Sequence, residues 1–157
     1  SEDYRDIFRK EIEENSQILK RVHDAGVPLL CGTESGFSMT PYGEWHYREL
    51  EVFVKDIGMS NMDSIVCATK NASKSIKMEG KVGTIEKGML ADILVVDGNP
   101  LDDITVLGDK SKLSHIILNG SEVDQNKPTK EIIPPQGWRL SPYSNQILTQ
   151  KIANIEN

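Results

Sequence analysis

The chain has 157 residues, 38% hydrophobic and 27% charged, a globular composition that excludes wholesale disorder. A net charge of −6 leaves no basic patch of the kind phosphate backbones require, so no nucleic-acid partner is expected. The length suits one domain and is too short for a complete (β/α)8 barrel of about 250 residues, while two cysteines, Cys31 and Cys67, exclude a disulfide-dense scaffold and a four-cysteine zinc site.

Residues 3–25 carry a helical stripe of Tyr4, Phe8, Ile12, Leu19 and Val22, with Gly26 placed to end the helix. Val27 to Cys31 is wholly apolar and reads as a short strand buried on both faces, as in a parallel sheet. It runs straight into Gly32-Thr33-Glu34-Ser35-Gly36, a glycine-flanked turn with one carboxylate. A second helix is expected from Thr40, as N-cap, with Pro41 in its first turn, to about Asp56. A third has Ser60 as N-cap and Asp63 three residues on, and would bury Met62, Ile65, Val66, Thr69, Ala72 and Ile76.

From Gly80 the period changes to that of strands. Ala91–Asp97 is one strand and Leu113–Leu118 another; Asn119-Gly120 signals a hairpin into a short return strand, 121–124. Residues 125–143 are polar and proline-rich and read as an arm, with a short helix over 144–154. The longest apolar runs fall far short of the roughly 20 residues of a spanning helix, and the acidic N-terminus has no signal-peptide layout. No membrane partner and a cytoplasmic location are therefore expected. The sequence does not open on Met, as expected of a processed chain, a tagged one or a piece of a longer one.

Glu34 is the sharpest candidate for chemistry. A carboxylate in a glycine-flanked turn directly after a buried strand can ligate a divalent metal or act as general base on a water. The competing reading is a solvent-facing turn residue or a helix-cap partner. The three histidines, His23, His46 and His115, form no His-x-His or His-Glu-x-x-His pair. His23 suits a helix C-terminus and His115 a structural place in a strand; His46 is close enough in sequence to the Glu34 turn to reach a substrate, or is an ordinary helix-surface residue. Cys31 and Cys67 read as small buried residues, Ser35 lacks a nucleophile elbow, and the turn lacks the Gly-Lys-Ser/Thr ending of a P-loop. Glu49, Glu51, Asp102 and Asp103 read as solvated faces, although Arg48 and Glu49 could hold a charged substrate group.

Taken in order, several stretches resemble the C-terminal part of the metal-dependent amidohydrolase superfamily, in its imidazolonepropionase-like and prolidase-like branch. They are Ala25-Gly26-Val27-Pro28-Leu29-Leu30-Cys31-Gly32-Thr33-Glu34-Ser35-Gly36, Gly43-Glu44-Trp45-His46, Arg48-Glu49-Leu50-Glu51, Ala68-Thr69-Lys70-Asn71-Ala72, and Gly83 through Pro100 with its Gly-x-x-Ala-Asp-hydrophobic run. The resemblance covers roughly residues 10–124. It implies an α/β fold in which 1–79 hold the last strand and helices of a (β/α)8 barrel, 80–124 the C-terminal part of a small β-sandwich, and 125–157 an appended arm.

The resemblance also implies metal-assisted hydrolysis of a C–N bond in a small amide or dipeptide. Glu34 would be metal ligand and general base, and His46 and Arg48 would touch substrate. One or two divalent ions, Zn²⁺ by the family's chemistry, would be held mostly by residues outside this chain. Two departures stand out. The family has Asp where Glu34 stands, and the extra methylene moves the carboxylate by about 1 Å, a displacement that can cost ~10²-fold in rate at a catalytic centre. The family's other ligands, His-x-His included, are absent from the sequence. The isolated chain is therefore expected to bind no stoichiometric zinc and to hydrolyse no dipeptide. The alternative is a non-catalytic remnant or an interaction module, and either a homo-oligomer or a complementing N-terminal segment would be its partner.

Overall fold

A computed structural model describes residues 4–35 and 43–126. The chain order is α1 (Tyr4–Asp24), α2 (Trp45–Lys55), α3 (Asn61–Val66), a π turn (Cys67–Asn71), α4 (Ala72–Ser75), β1 (Ile93–Val96), two 3₁₀ turns (Ile104–Gly108 and Lys110–Lys112), β2 (Leu113–Leu118) and β3 (Ser121–Glu122). The expected start of the second helix at Thr40-Pro41, the arm beyond residue 126 and the helix over 144–154 lie outside the described residues.

Helix α1 forms where its period places it, and Gly26 follows in the left-handed conformation at φ 77°. Its apolar stripe, however, is uncovered: Tyr4, Phe8 and Ile12 are all more than half exposed, and no residue of α1 is buried. Amphipathic period makes a helix without deciding what covers it.

The expected strand Val27–Cys31 is extended but is no strand. No neighbouring strand pairs with it among the described residues, and its Cys31 N–H donates instead to the Cys67 carbonyl at 3.3 Å. Its burial is also one-sided, because Leu29 and Cys31 pack on the core while Val27 and Leu30 face out. This corrects the expectation of burial on both faces. An all-apolar run is compatible with two covered faces and cannot itself supply the second cover.

The core is small: Phe53, Ile57, Met59 and Cys67, with Leu29 and Cys31 against it. Ser60 caps α3 as expected, its Oγ accepting the Asp63 N–H at 3.0 Å. The buried face of α3 and the turns after it is not the expected one. Ser64, Cys67 and Ser73 face inward, whereas Met62 and Ile76 are exposed. Small side chains let α3 lie close on α2, with the Ser64 hydroxyl donating to the Leu50 carbonyl at 3.1 Å and so burying without an unmet hydrogen bond. Gly83, at φ 95°, rests on the π turn so closely that a Cβ would meet the Thr69 carbonyl oxygen at 2.8 Å.

The three-stranded sheet is antiparallel in the order β1-β2-β3. Ile93 pairs with Ile117 and Val95 with His115, and a bulge between Val95 and Val96 shifts the register so that Val96 faces Leu113. Asn119 and Gly120 both take positive φ, 49° and 77°, which gives the tight hairpin whose twist matches its strands. The Asp92 carboxylate accepts the Asn119 N–H at 2.7 Å and fixes that turn to the start of β1. The 3₁₀ turns, unforeseen in the sequence, begin at Asp103 and Asp109, each accepting the N–H two residues on. Asp103 is exposed, as expected of a solvated residue, and is in addition a cap; the turn it starts buries Ile104 beside α2.

Candidate active-site turn

Beyond the Val27 N–H to Val22 carbonyl bond at 3.2 Å that closes α1, residues 29–32 are tied to the later helices by three hydrogen bonds of different kinds. The Asn71 side-chain amide donates to the Leu29 carbonyl at 2.7 Å, the Cys31 N–H meets the Cys67 carbonyl, and the Gly32 N–H donates to Glu49 Oε1 at 3.0 Å. Two of the three partners belong to the π turn. Such turns rearrange the helical hydrogen-bond ladder and recur at functional sites.

Beyond these ties the chain turns sharply. Glu34 sits at φ 49°, a left-handed conformation that a residue with a Cβ adopts at a cost. The flanking glycine does not carry the turn, since Gly32 has no positive φ and a Cβ there would make only ordinary contact with Leu30 at 3.7 Å. Thr33 Oγ1 and Ser35 Oγ lie 2.7 Å apart, and Ser35 Oγ lies 3.2 Å from His46 Nδ1. The turn therefore presents an exposed carboxylate beside a hydroxyl pair that ends on an imidazole.

Of the residues singled out in the sequence, His46 reaches the Glu34 turn, through Ser35. Arg48 does not. Two residues along a helix is about 200° of rotation, which puts Arg48 on the far side of α2 from His46. There its guanidinium pairs with Glu44, Nη2 to Oε1 at 2.6 Å, and lies over the Tyr47 ring at 5.5 Å. Glu49 reverses its expected place: it is no solvated face residue. Its Oε1 holds Gly32, and its Oε2 is buried without a hydrogen-bond partner among the described residues. The available signal was its helical position, three residues from His46 and on the same side as Leu50 and Phe53.

The same surroundings act on the thiols. Burial, then the negative charge of Glu49, then Cys67 push the Cys31 thiol up to about 12. Burial likewise raises that of Cys67. Neither is an activated nucleophile. Among the described residues, no three His, Cys, Asp or Glu side chains are grouped so as to hold a metal ion. The residues present do not fit a divalent ion by themselves; Glu34 would give it one carboxylate. No helix among them is long and apolar enough to cross a membrane.

Comparison with known proteins places this arrangement of helices and antiparallel hairpin sheet in a family. The sequence pattern of the amidohydrolase family matches residues 4–123, and the chain belongs to that family. The ochratoxinase of Aspergillus niger is 31% identical over 97 residues, which are 61% of this chain and 19% of that protein. The imidazolonepropionase of Thermoplasma volcanium is 28% identical over 108 residues, 68% of this chain and 26% of that one. A Xaa-Pro dipeptidase crystallised with methionine in its active site superposes with a TM-score of 0.61 at 32% identity, covering 69% of this chain and 25% of its own. The chain thus spans about a fifth to a quarter of the length of these relatives.

Proposed function

We propose that this chain is the part of an amidohydrolase that contributes the acid-base carboxylate, Glu34, to hydrolysis of a C–N bond in a small amide or dipeptide. The observation that carries the reading is the left-handed Glu34 turn at the end of the extended 27–31 segment, tied down at Cys31 and Gly32. On this reading residues 1–79 are the last strand and helices of a (β/α)8 barrel, 80–124 a share of a sandwich and 125–157 an arm. The missing second cover of Val27 and Leu30 is where neighbouring barrel strands would lie. A cytoplasmic location belongs to the same proposal.

In the reaction Glu34 accepts a proton from water as the oxygen bonds to the amide carbonyl carbon. It returns that proton to the nitrogen as the C–N bond breaks, giving a carboxylic acid and an amine. Such proton transfer contributes typically ~10²–10⁴-fold. His46, oriented by Ser35, lies where a polar group of the substrate can reach it. The divalent ions of the family, Zn²⁺ by preference, would take most of their ligands from outside the described residues. The names of two relatives, ochratoxinase and Xaa-Pro dipeptidase, support an amide-type substrate. A second reading, a non-catalytic module that pairs with another chain, draws on the uncovered stripe of α1.

The test is hydrolysis of a panel of dipeptides and acyl-amino acids by the longest translated product that contains these residues. Glu34→Gln is expected to lower kcat by ~10² or more, and Glu34→Asp to stay within about 10²-fold of the parent. Full activity in Glu34→Gln sinks the reading. The 157-residue chain alone is expected to be inactive and free of stoichiometric zinc by elemental analysis.

A further inference from the structure

Glu49 is costly where it stands. One carboxylate oxygen is buried with no partner among the described residues, on the side of α2 that otherwise presents Leu50 and Phe53. An apolar side chain of similar size would avoid that desolvation. What the carboxylate provides is its other oxygen, which reaches across 17 positions of sequence to the Gly32 N–H. Gly32 is two residues before Glu34, whose left-handed backbone persists only if its surroundings over-determine it. The other ties upstream of Glu34, at Leu29 and Cys31, lie further away, and the contact just after it, Ser35 Oγ to His46 Nδ1 at 3.2 Å, joins side chains only; Glu49 is thus the side chain that holds the backbone leading into Glu34.

We propose that Glu49 is a positioning residue for Glu34: its carboxylate pins the Gly32 amide and thereby fixes the turn that presents the Glu34 carboxylate. The proposal rests on the reading of Glu34 given above, and its test is separable from it.

Amide hydrogen exchange followed by NMR on the 157-residue chain reads the tie directly. In Glu49→Met, which keeps the packing volume and removes the acceptor, Gly32 exchange is expected to speed by ~10-fold or more. Leu50 and Phe53, inside α2, keep their parental rates, and the three-bond HN–Hα coupling of Glu34 moves from its parental value. Glu49→Gln, which keeps an acceptor oxygen, restores most of the Gly32 protection. Parental Gly32 exchange in Glu49→Met overturns the proposal. So does a Glu49→Met variant in which Phe53 loses protection as much as Gly32, since Glu49 would then serve the helix and not the turn. In the active full-length protein Glu49→Met is expected to lower kcat with KM nearly unchanged, and Glu49→Gln to recover most of kcat; a fall expressed only in KM counts against positioning. If instead Glu34→Gln retains activity while the Gly32 exchange behaves as expected, the reading of Glu34 fails and the pinning of the turn stands.

Discussion

At Cys31 the same burial that gives the 27–31 segment its anchor makes an ionisable group reluctant to ionise. Its thiol is pushed up to about 12, by burial first and by the Glu49 charge next, from an ordinary 9.0. The sign follows from linkage. Below pH 9 both folded and unfolded forms carry the proton and stability is unaffected. Above it the unfolded chain loses the proton while the folded chain keeps it, so stability falls progressively towards pH 12. Urea melts between pH 8 and 11 are expected to show this loss, and Cys31→Ala to flatten it. The same shift predicts alkylation of Cys31 at pH 8 at least ~10-fold slower than that of a free thiol. The sequence showed a small apolar cysteine at this point; what it could not show is the Glu49 carboxylate nearby, because residues 31 and 49 are brought together by the turn and α2. That Glu34 stands in a turn was legible for the opposite reason: its signal, a glycine-flanked carboxylate just past an apolar run, is entirely local.

Among the elements, legibility tracks how local the causes are. The hairpin of β2 and β3 was readable from Asn119-Gly120 alone, and the α3 cap from Ser60 and Asp63. The inward face of α3 was not, because apolar periodicity gives no weight to Ser64 and Ser73, which are buried precisely by being small enough for close helix contact. The π turn was equally hidden, though its effects are large: it supplies the Cys67 carbonyl that accepts the Cys31 N–H and the Asn71 amide that donates to the Leu29 carbonyl. Gly83 tests how rigid that turn is. Its φ of 95° and a Cβ position 2.8 Å from the Thr69 carbonyl oxygen make Gly83→Ala both strained and overpacked. A loss of ~1–3 kcal/mol is expected in chemical denaturation. A smaller loss, below ~0.5 kcal/mol, would mean that the π turn yields at little cost.

Over the whole molecule, the described residues leave apolar surface uncovered on α1 and on one side of the 27–31 segment, and their core is a handful of side chains. Both surfaces were drawn correctly as amphipathic or apolar in the sequence, yet their covering is a matter of neighbours that composition does not name. An extended segment cannot be recognised as a strand without strands beside it. On α1, Ile12 is 58% exposed and touches no described core. Ile12→Lys is expected to change stability by no more than ~0.5 kcal/mol while reducing self-association in analytical ultracentrifugation. A marked loss of stability would show that the stripe is covered within the chain itself.

The three ties on the 27–32 segment have a consequence for how its sequence is free to drift. Two of the groups held, the Cys31 and Gly32 amides, and the third, the Leu29 carbonyl, are backbone atoms, which every residue type except proline supplies in full. Selection acting on this turn would therefore register on Glu49 and Asn71, far away in sequence, more sharply than on Gly32, two residues before Glu34. In a saturation library scored for folding, Gly32→Ala should pass and Gly32→Pro should fail. The glycine that first drew the eye would then be tolerant, and the glutamate dismissed as surface would not.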